Sequence, residues 1–586
     1  MEGEPTCPEH RVFLCLRIVL VSLVLMVLGA CAADPPTPEE PSYWEPPKYE
    51  ALDPARSLSR VSIALRGIQP SQSDLELIQQ EPERLIELAR TYADSPEFGE
   101  TIKDMYAEIL LMRSVELVLP SVGELEGVSA TDVAWTLSEE PLNLIREVVV
   151  NNEPFSTIVT ADWTMLDELG ARFWDSHTYD SEKGGLQKVN FRDERPAAGI
   201  LSTGAFLIRH SSNGGNYHRG RADRVSDFLL CSPFGGRDIP IAGDIDLSDD
   251  EAVAQAVGNQ TECVACHQTV DPLAAHFWGF RARLTAFQVT SALEDGCPEG
   301  ISSFACYPVP MYTPLISDRW SDLELRPPSY WGQATESLED VGKAIAEDPR
   351  FARCAAQNFA AYLTQSDKKD LDPVAIASFQ EKFTASGFSA KELAVEIVTA
   401  PYFLSRAQVD APEAELPGIQ ILRPEQLERL IFELTGFRLE YEVPVQRVGE
   451  VRVLANDNVG FRAMAGGIDG ASVTSPTHTP TPIKLLVHAT YAEEAAGFIV
   501  DSDFAADKAA RRLLTEVDSG DNDASLIRAQ LKSLHARIYA QPVDSDDLRV
   551  NALFELWQAA GGAEDPRLAW KATLSAMFQS PDLFFY

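Results

Sequence analysis

The sequence has little positive charge for its length. Its 586 residues include 49 Lys and Arg against 89 Asp and Glu, which gives a formal net charge of −40 at pH 7. Recognition of nucleic-acid phosphates requires clusters of Lys and Arg, so the composition argues against a DNA- or RNA-binding role. It favours a self-repelling surface and, where a protein partner exists, a basic one.

Cysteine is also scarce, with nine residues in the whole chain. Small disulfide-stabilised proteins carry a far higher fraction of cysteine, so the fold must depend on hydrophobic cores. The hydrophobic content of 45% is typical of a globular protein, and a chain of this length is expected to form about three to five domains.

Long hydrophobic runs are missing after Cys31, where no stretch reaches the roughly 18 apolar residues of a membrane-spanning helix. The one marked apolar run, 18–28, follows Arg11 and Arg17, which is the arrangement of a secretory signal. Its end, Leu28-Gly29-Ala30-Cys31, is similar to the lipobox of bacterial lipoproteins. We therefore expect a signal peptide over 1–30 and a lipid anchor on Cys31, with a plain signal peptide cut near Ala33 as the alternative.

Residues 31–57 are rich in Pro and Glu, which predicts an extended tether behind the anchor. The protein is then exported and held on the bacterial cell envelope, touching the membrane through its anchor only. The outer membrane is favoured over the inner one, because the Asp that directs inner-membrane retention in many bacteria is missing after Cys31.

Apolar residues recur at every third or fourth position through much of the chain, which predicts a mainly α, multi-domain protein. The expected segments are a helical module (58–125), a mixed loop-rich module (126–255), a small cysteine-containing segment (256–325) and two further helical modules (326–410 and 411–586). A Pro after a small or capping residue recurs at Pro96, Pro349, Pro401 and Pro581, and each predicts the start of a helix.

One motif carries chemistry. Cys263-Val264-Ala265-Cys266-His267 has the Cys-x-x-Cys-His spacing of a c-type haem attachment site. On one helical turn the thiols of Cys263 and Cys266 can reach the two vinyl groups of a porphyrin, and His267 can supply the proximal iron ligand. The motif predicts one covalent haem c and makes 256–325 a cytochrome c-like haem segment.

Other interpretations of the motif stay open at this stage. It can arise by chance, or Cys263 and Cys266 can form a structural disulfide. A zinc site is a weaker alternative, because adjacent Cys266 and His267 point in different directions on a helix and zinc needs four convergent ligands.

The sixth iron ligand is less defined by the sequence. Met311 lies in a Pro-containing loop downstream of His267 and is similar in placement to the methionine arm of small cytochromes c, so we take it as the candidate distal ligand. His276, His210 and His218 are weaker candidates. An open sixth position would instead suit peroxidase-like chemistry.

The remaining cysteines fit an oxidising compartment. Cys297 and Cys306 lie close together in a loop and are expected to pair. Cys231 and Cys354 are then left, and are candidates for a disulfide between segments.

The stretch 263–281, CVACHQTVDPLAAHFWGFR, resembles planctomycete-type secreted cytochrome proteins, in which the haem motif is followed by Asp-Pro-Leu/Ile, here Asp271-Pro272-Leu273. Further segments resemble the same family: 199–206, 219–221, 229–233, 346–354, 59–66, 422–436 and 569–584. The resemblance implies an exported multi-module protein that binds haem, and it implies no substrate.

Together these observations predict a lipid-anchored, extracytoplasmic monohaem c-type cytochrome that transfers electrons or performs haem-dependent redox chemistry. A redox partner has to be basic to complement the acidic surface. The alternative is a non-haem surface-binding or assembly lipoprotein in which the cysteine pair is structural.

Overall fold

The computed structural model of the chain describes residues 48–113, 128, 130–174, 176, 178–212, 216–235, 245–246, 248–282, 311–322, 325–409, 420–442, 450–455 and 460–586. The predicted signal peptide and Cys31 lie outside these residues, as do Cys297 and Cys306. Across the described ranges, no helix is both long and apolar enough to cross a membrane.

The protein is mainly helical and multi-domain, which confirms the coarse prediction from the sequence. Up to residue 398 the helices are α1 (Pro54–Arg66), α2 (Gln72–Gln80), α3 (Leu85–Ala93), α4 (Pro96–Ile109), α5 (Ala130–Val150), α6 (Thr157–Thr160), α7 (Glu168–Phe173), α8 (Gly204–Arg209), α9 (Arg219–Leu230), α10 (Asp250–Asn259), α11 (Thr261–Ala275), α12 (Arg319–Asp322), α13 (Leu338–Glu347), α14 (Pro349–Thr364), α15 (Pro373–Ala385) and α16 (Ala390–Val398).

The C-terminal part adds further helices. They are α17 (Pro424–Thr435), α18 (Phe461–Met464), α19 (Pro482–Ala505), α20 (Ala524–Tyr539), α21 (Leu548–Ala559), α22 (Pro566–Phe578) and α23 (Pro581–Phe584).

The described strands are short: β1 (Tyr49–Ala51), β2 (Thr164–Leu166), β3 (Gln187–Val189), β4 (Ser329–Tyr330), β5 (Gln333–Ala334), β6 (Ser405–Gln408), β7 (Glu440–Glu442) and β8 (Glu450–Arg452). They form antiparallel pairs, β1 with β6, β2 with β3, β4 with β5 and β7 with β8. None of these pairs builds a sheet large enough to carry a core, so helix packing organises the molecule.

The tether predicted over 31–57 is wrong at its C-terminal end. Residues 49–51 form strand β1 against β6, and α1 already begins at Pro54. Asp53 accepts a hydrogen bond from the amide of Arg56 at 3.0 Å, and Pro54 occupies the first helical position. These are ordinary helix-start signals, which the high Pro and Glu content of the segment concealed.

Three of the four proline sites begin a helix, as predicted. Pro96, Pro349 and Pro581 are the first residues of α4, α14 and α23. Pro401 is different, because it lies in a turn that leads from α16 into β6. The proline therefore ends one helix there without starting another.

Buried apolar side chains of the described residues form two cores. The first combines residues from Leu58 to Phe403 together with Ala540, and the second combines residues 421–584 with Ile63 of α1. The boundary expected near 410 falls between them. The four segments before it share one core, and Leu273 and Phe277 of the cysteine-containing segment are part of it.

Buried ion pairs join the two cores. Arg423, just before α17, binds the carboxylate of Glu108 in α4 at 2.7 and 2.9 Å. Arg429 of α17 contacts Asp104 of α4, and Asp104 also binds Arg113 at 2.8 Å. Several of the positively charged side chains of this acidic protein are therefore buried between its two cores.

Candidate functional site

Helix α11 carries the cysteine-histidine motif. At 100° of rotation per residue, positions 263, 266 and 267 fall within an arc of about 100° on the helix surface. Gln260 precedes the helix without a side-chain cap, and the C-terminal half of the helix is anchored by buried Val270, Leu273 and Ala274. The motif therefore lies on the less buried N-terminal half of a helix whose other half is fixed in the first core.

Both motif thiols are unpaired. Cys263 and Cys266 are partly buried and form no disulfide with each other. Among the residues that the structure describes, no group of three or more His, Cys, Asp or Glu side chains converges to hold a metal ion. Thioether formation with a porphyrin requires free, accessible thiols, and Cys263 and Cys266 are unpaired and only partly buried.

The imidazole of His267 is paired with a buried carboxylate. Its Nδ1 lies 3.0 Å from Oδ1 of Asp271, one helical turn further along α11. Arg219 donates from Nε to the same carboxylate at 2.6 Å, and Arg326 from Nη1 at 3.3 Å. The side chain of Asp271 is 5% exposed, so its negative charge is held within this cluster.

The cluster keeps Asp271 ionised. Burial by itself raises the pKa of this carboxyl, but hydrogen bonds from His267 and Arg219 outweigh burial and lower the pKa below its ordinary value. An ionised carboxylate only accepts hydrogen bonds, so Nδ1 of His267 must carry the proton.

The pairing occupies Nδ1 of His267 and leaves Nε2 available. Within the described residues it makes no hydrogen bond, and the side chain is 24% exposed. Histidines that bind metals in proteins typically donate the other ring N–H to a carboxylate or carbonyl, which fixes the tautomer and the ring orientation. His267 has this arrangement.

The other histidines considered from the sequence have different surroundings. His276 uses both ring nitrogens, Nδ1 with the carbonyl of Leu273 at 3.1 Å and Nε2 with the hydroxyl of Thr335 at 2.8 Å. His210 is buried, and its Nε2 lies 3.1 Å from the carbonyl oxygen of Leu110. These contacts give both residues a packing role.

His218 is held by a buried arginine. Its Nδ1 accepts from Nη1 of Arg221 at 3.1 Å, and burial lowers the pKa of His218 to about 3. Arg221 has no exposed surface and also donates to the carbonyls of Leu207 at 2.9 Å and Arg281 at 2.6 Å. Arg221 therefore ties α8 and the chain after α11 to α9.

Met311 is packed in the first core and has no exposed surface. Oδ2 of Asp193 accepts from the amides of Met311 at 2.8 Å and Tyr312 at 3.0 Å, and the carbonyl of Met311 accepts from the amide of Arg281 at 2.9 Å. The loop thus returns against the chain that leaves the C-terminal end of α11. The motif residues lie toward the opposite end of that helix.

Gly279 makes this return possible. A Cβ at this position would lie 2.2 Å from the ring of Tyr312, well inside van der Waals contact. A glycine is therefore required where the two segments cross.

Cys231 and Cys354 form a disulfide. It joins the C-terminal end of α9 to α14 across 123 residues of sequence. The second expected pair, Cys297 with Cys306, and the anchor Cys31 lie outside the described residues.

Sequence reasoning missed the residues that surround His267. Asp271 was noted only as part of the Asp-Pro-Leu stretch that resembles the cytochrome family. Arg219 and Arg326 come from distant parts of the chain, and nothing in the sequence indicated that they contact Asp271. The i to i+4 spacing of His267 and Asp271 on a helix was the available signal for the first contact.

Comparisons with family models, with curated proteins and with solved structures found nothing that matches this chain. The resemblance to planctomycete-type secreted cytochrome proteins therefore depends only on the sequence segments named above.

Proposed function

We propose that the protein is an extracytoplasmic monohaem c-type cytochrome, which transfers electrons or performs haem-dependent redox chemistry. The observation that supports this best is the contact of His267 Nδ1 with Asp271 Oδ1 at 3.0 Å. It orients a histidine for ligation through Nε2 directly beside two unpaired thiols on the same helix.

The residues present fit a covalent haem. Cys263 and Cys266 would form its two thioether bonds, and His267 would be the proximal ligand. The haem would supply one-electron redox chemistry. The protein's own contribution is to hold the imidazole through Asp271 and to fix α11 by the first core.

The sequence supports a proposal for the location and the partner as well. We propose that Cys31 anchors the protein to the cell envelope through lipid, with the outer membrane favoured. The charge of −40 calls for a basic redox partner, whose association should weaken as the salt concentration rises.

Expression together with a cytochrome c maturation system tests the proposal. We expect the purified wild type to show a Soret band, a pyridine haemochrome spectrum and the mass of one covalently attached haem. The double variant Cys263→Ser/Cys266→Ser should lose the covalent haem and keep the helical circular dichroism of the wild type.

The control is His276→Ala, because His276 lies on the same stretch of chain with both nitrogens engaged in packing. This variant should keep its haem. A colourless wild-type protein without attached haem would refute the proposal and favour the alternative, a surface-binding or assembly lipoprotein with a structural cysteine pair.

A further inference from the structure

The first two turns of α19 expose apolar side chains. Ile483, Leu485 and Leu486 are 44%, 47% and 61% exposed, Pro482 is also exposed, and Ala489 is partly exposed. At 100° of rotation per residue, these five positions fall within an arc of about 160° on the helix surface. Over residues 482–490 this arc contains no charged side chain. We call this surface the α19 patch.

The same two turns bury polar side chains on the opposite face. Lys484 and His488 are each 3% exposed. Nζ of Lys484 donates to the carbonyl of Thr477 at 3.2 Å, and the imidazole of His488 stacks on the ring of Phe584 with centroids 4.3 Å apart. A surface helix of a globular protein normally has its apolar face inside and its charged face outside. Here the arrangement is reversed.

The later turns of α19 explain this orientation. Tyr491, Ala495 and Ile499 are buried in the second core, whereas Glu493 and Glu494 are exposed, so these turns have the ordinary arrangement. Because α19 is one continuous helix, their packing also fixes the rotation of its first two turns. The large apolar side chains of the α19 patch belong to neither core of the described residues. An external apolar surface is what would cover them.

The N-terminal end of the described chain lies beside the α19 patch. Pro480, two residues before α19, lines a cavity of about 650 Å³ together with Leu52, which directly follows β1. The two residues are therefore neighbours in space. Residues 32–47 connect the proposed anchor on Cys31 to this point, and a chain of that length spans at most about 55 Å. An anchor on Cys31 thus holds the protein by the side on which α19 begins.

The charges around the α19 patch favour a neutral lipid surface. Glu493 and Glu494 follow the patch on the exposed side of the helix, and Asp582 is exposed at the cavity that Pro480 lines. The exposed arginines of that cavity, Arg56 and Arg406, are paired with carboxylates. Anionic headgroups would repel this region, whereas zwitterionic headgroups would not.

We propose that the α19 patch rests on a bilayer of zwitterionic phospholipid, with Ile483, Leu485 and Leu486 inserted among the lipids. The helix lies in the interface and does not cross it. The sequence predicts membrane contact through the anchor only, and the patch adds a second contact. This inference rests on the proposed anchor at Cys31, because the anchor keeps a small apolar surface at a high effective concentration next to the membrane.

Photo-cross-linking from the α19 patch tests the inference. The full chain is held on phosphatidylcholine vesicles by a C-terminal histidine tag and a nickel-chelating lipid, so the experiment does not require a lipid on Cys31. Tyr586 lines the same cavity as Pro480, so the tag holds the protein by the same side. In the variant Leu486→p-benzoylphenylalanine, irradiation should give a phospholipid adduct that mass spectrometry detects. The yield should fall when phosphatidylglycerol replaces phosphatidylcholine.

The matched control is Leu568→p-benzoylphenylalanine. Leu568 is 57% exposed, close to the 61% of Leu486. It begins α22 next to Arg567, which pairs with Asp501 near the C-terminal end of α19. Asp501 lies about 22 Å further along the helix than Leu486. The control should therefore give no phospholipid adduct, and both variants should keep the circular dichroism of the wild type.

Three results would overturn the inference: no phospholipid adduct from position 486, equal adducts from both positions, or a cross-link from position 486 to a second copy or to another part of the same chain. The mass of Cys31 in protein purified from membranes is measured separately. An adduct together with an unmodified Cys31 would refute the anchor alone. A lipidated Cys31 without an adduct would refute the membrane contact of the α19 patch alone.

Discussion

The imidazole of His267 and the carboxylate of Asp271 form a pair at 3.0 Å on α11. Because the ionised carboxylate can only accept, Nδ1 is the donor. Asp271 is in turn held by Arg219 from α9 and by Arg326. A carboxylate in this position adds negative charge next to the ligand set of the proposed haem, which makes Asp271 a positioning residue with an electrostatic effect.

Asp271→Asn should raise the reduction potential of the haem. The wild-type carboxylate stabilises the more positive oxidised iron, and the neutral amide removes that stabilisation while it can still accept from Nδ1. A spectroelectrochemical titration measures the shift. A purely structural role would change stability without moving the potential.

The control for this change is Asp501→Asn. Asp501 is an exposed carboxylate that pairs with Lys571 at 2.7 Å in the second core's helices. The same substitution there should leave the potential unchanged. Equal potentials for wild type and Asp271→Asn would contradict the assigned role.

Met311→Leu tests the predicted distal ligand. Leucine has nearly the same volume as methionine, so the packing of the buried side chain should change stability by less than about 1.5 kcal/mol. A sulfur ligand lost from the iron would change the absorption spectrum from low spin to high spin. Because Met311 is fully buried in the first core, at the end of α11 opposite the motif, we expect the spectrum to stay unchanged.

An unchanged spectrum of Met311→Leu would mean that the methionine only packs in the core. The matched control is Met165→Leu, because Met165 of β2 is also buried and lies outside the haem segment. This control should leave the spectrum as it is in the wild type.

The buried carboxyl of Glu140 should make stability depend on pH. Burial raises the pKa of Glu140 from 4.5 to about 7. The folded protein then keeps a proton that the unfolded chain releases, so this contribution to stability is complete below pH 4.5 and is lost as the pH rises through 7. Between pH 5 and pH 8 the loss should be about 2.5 kcal/mol.

Glu140→Gln removes this titration and can keep the hydrogen bond from the amide of Ala205, which is 3.1 Å in the wild type. The free energy of unfolding of the variant, relative to wild type, should therefore increase by about 2.5 kcal/mol from pH 5 to pH 8. Chemical denaturation at both pH values measures it.

Glu139→Gln is the control for Glu140, on the adjacent position of α5. Burial raises its pKa, but the charges of Arg113 and Lys103 outweigh burial and lower the pKa of Glu139 to about 2. Glu139→Gln should lower the free energy of unfolding by a large amount, and by the same amount at pH 5 and at pH 8. A pH-dependent difference of equal size in both variants would contradict the assignment to Glu140.

The disulfide of Cys231 and Cys354 should contribute strongly to stability. It closes a loop of 123 residues. In the loop-closure model, Cys231→Ser/Cys354→Ser should lower the free energy of unfolding by about 5 kcal/mol.

Guanidinium unfolding with and without a reductant measures the effect of the disulfide. The wild type should lose stability when it is reduced, and the double variant should not respond to the reductant. If the oxidised wild type and the double variant have the same free energy of unfolding, the disulfide does not stabilise the fold.

Local features of the fold were predictable from the sequence. Ser or Asp followed by Pro marks the starts of α4, α14 and α23, and the apolar spacing of Leu75 and Ile78 marks the buried face of α2. These signals act within a few residues, so they can be recognised without the tertiary fold.

Segment boundaries were predictable only in part. The segments before residue 410 look separate in sequence because loops and glycines interrupt them, yet they bury their apolar faces in one common core. Which helix faces meet depends on contacts between distant residues, and no local pattern encodes them.

The sequence by itself determined the candidate haem site, because Cys263, Cys266 and His267 act through their spacing on one helix. Only the tertiary structure decided the surroundings of that site. Arg219 and Arg326 reach Asp271 from 52 and 55 residues away, and Asp193 binds Met311 across 118 residues. Spacing along one helix is a local property, whereas charges buried between elements are matched only when the chain has folded.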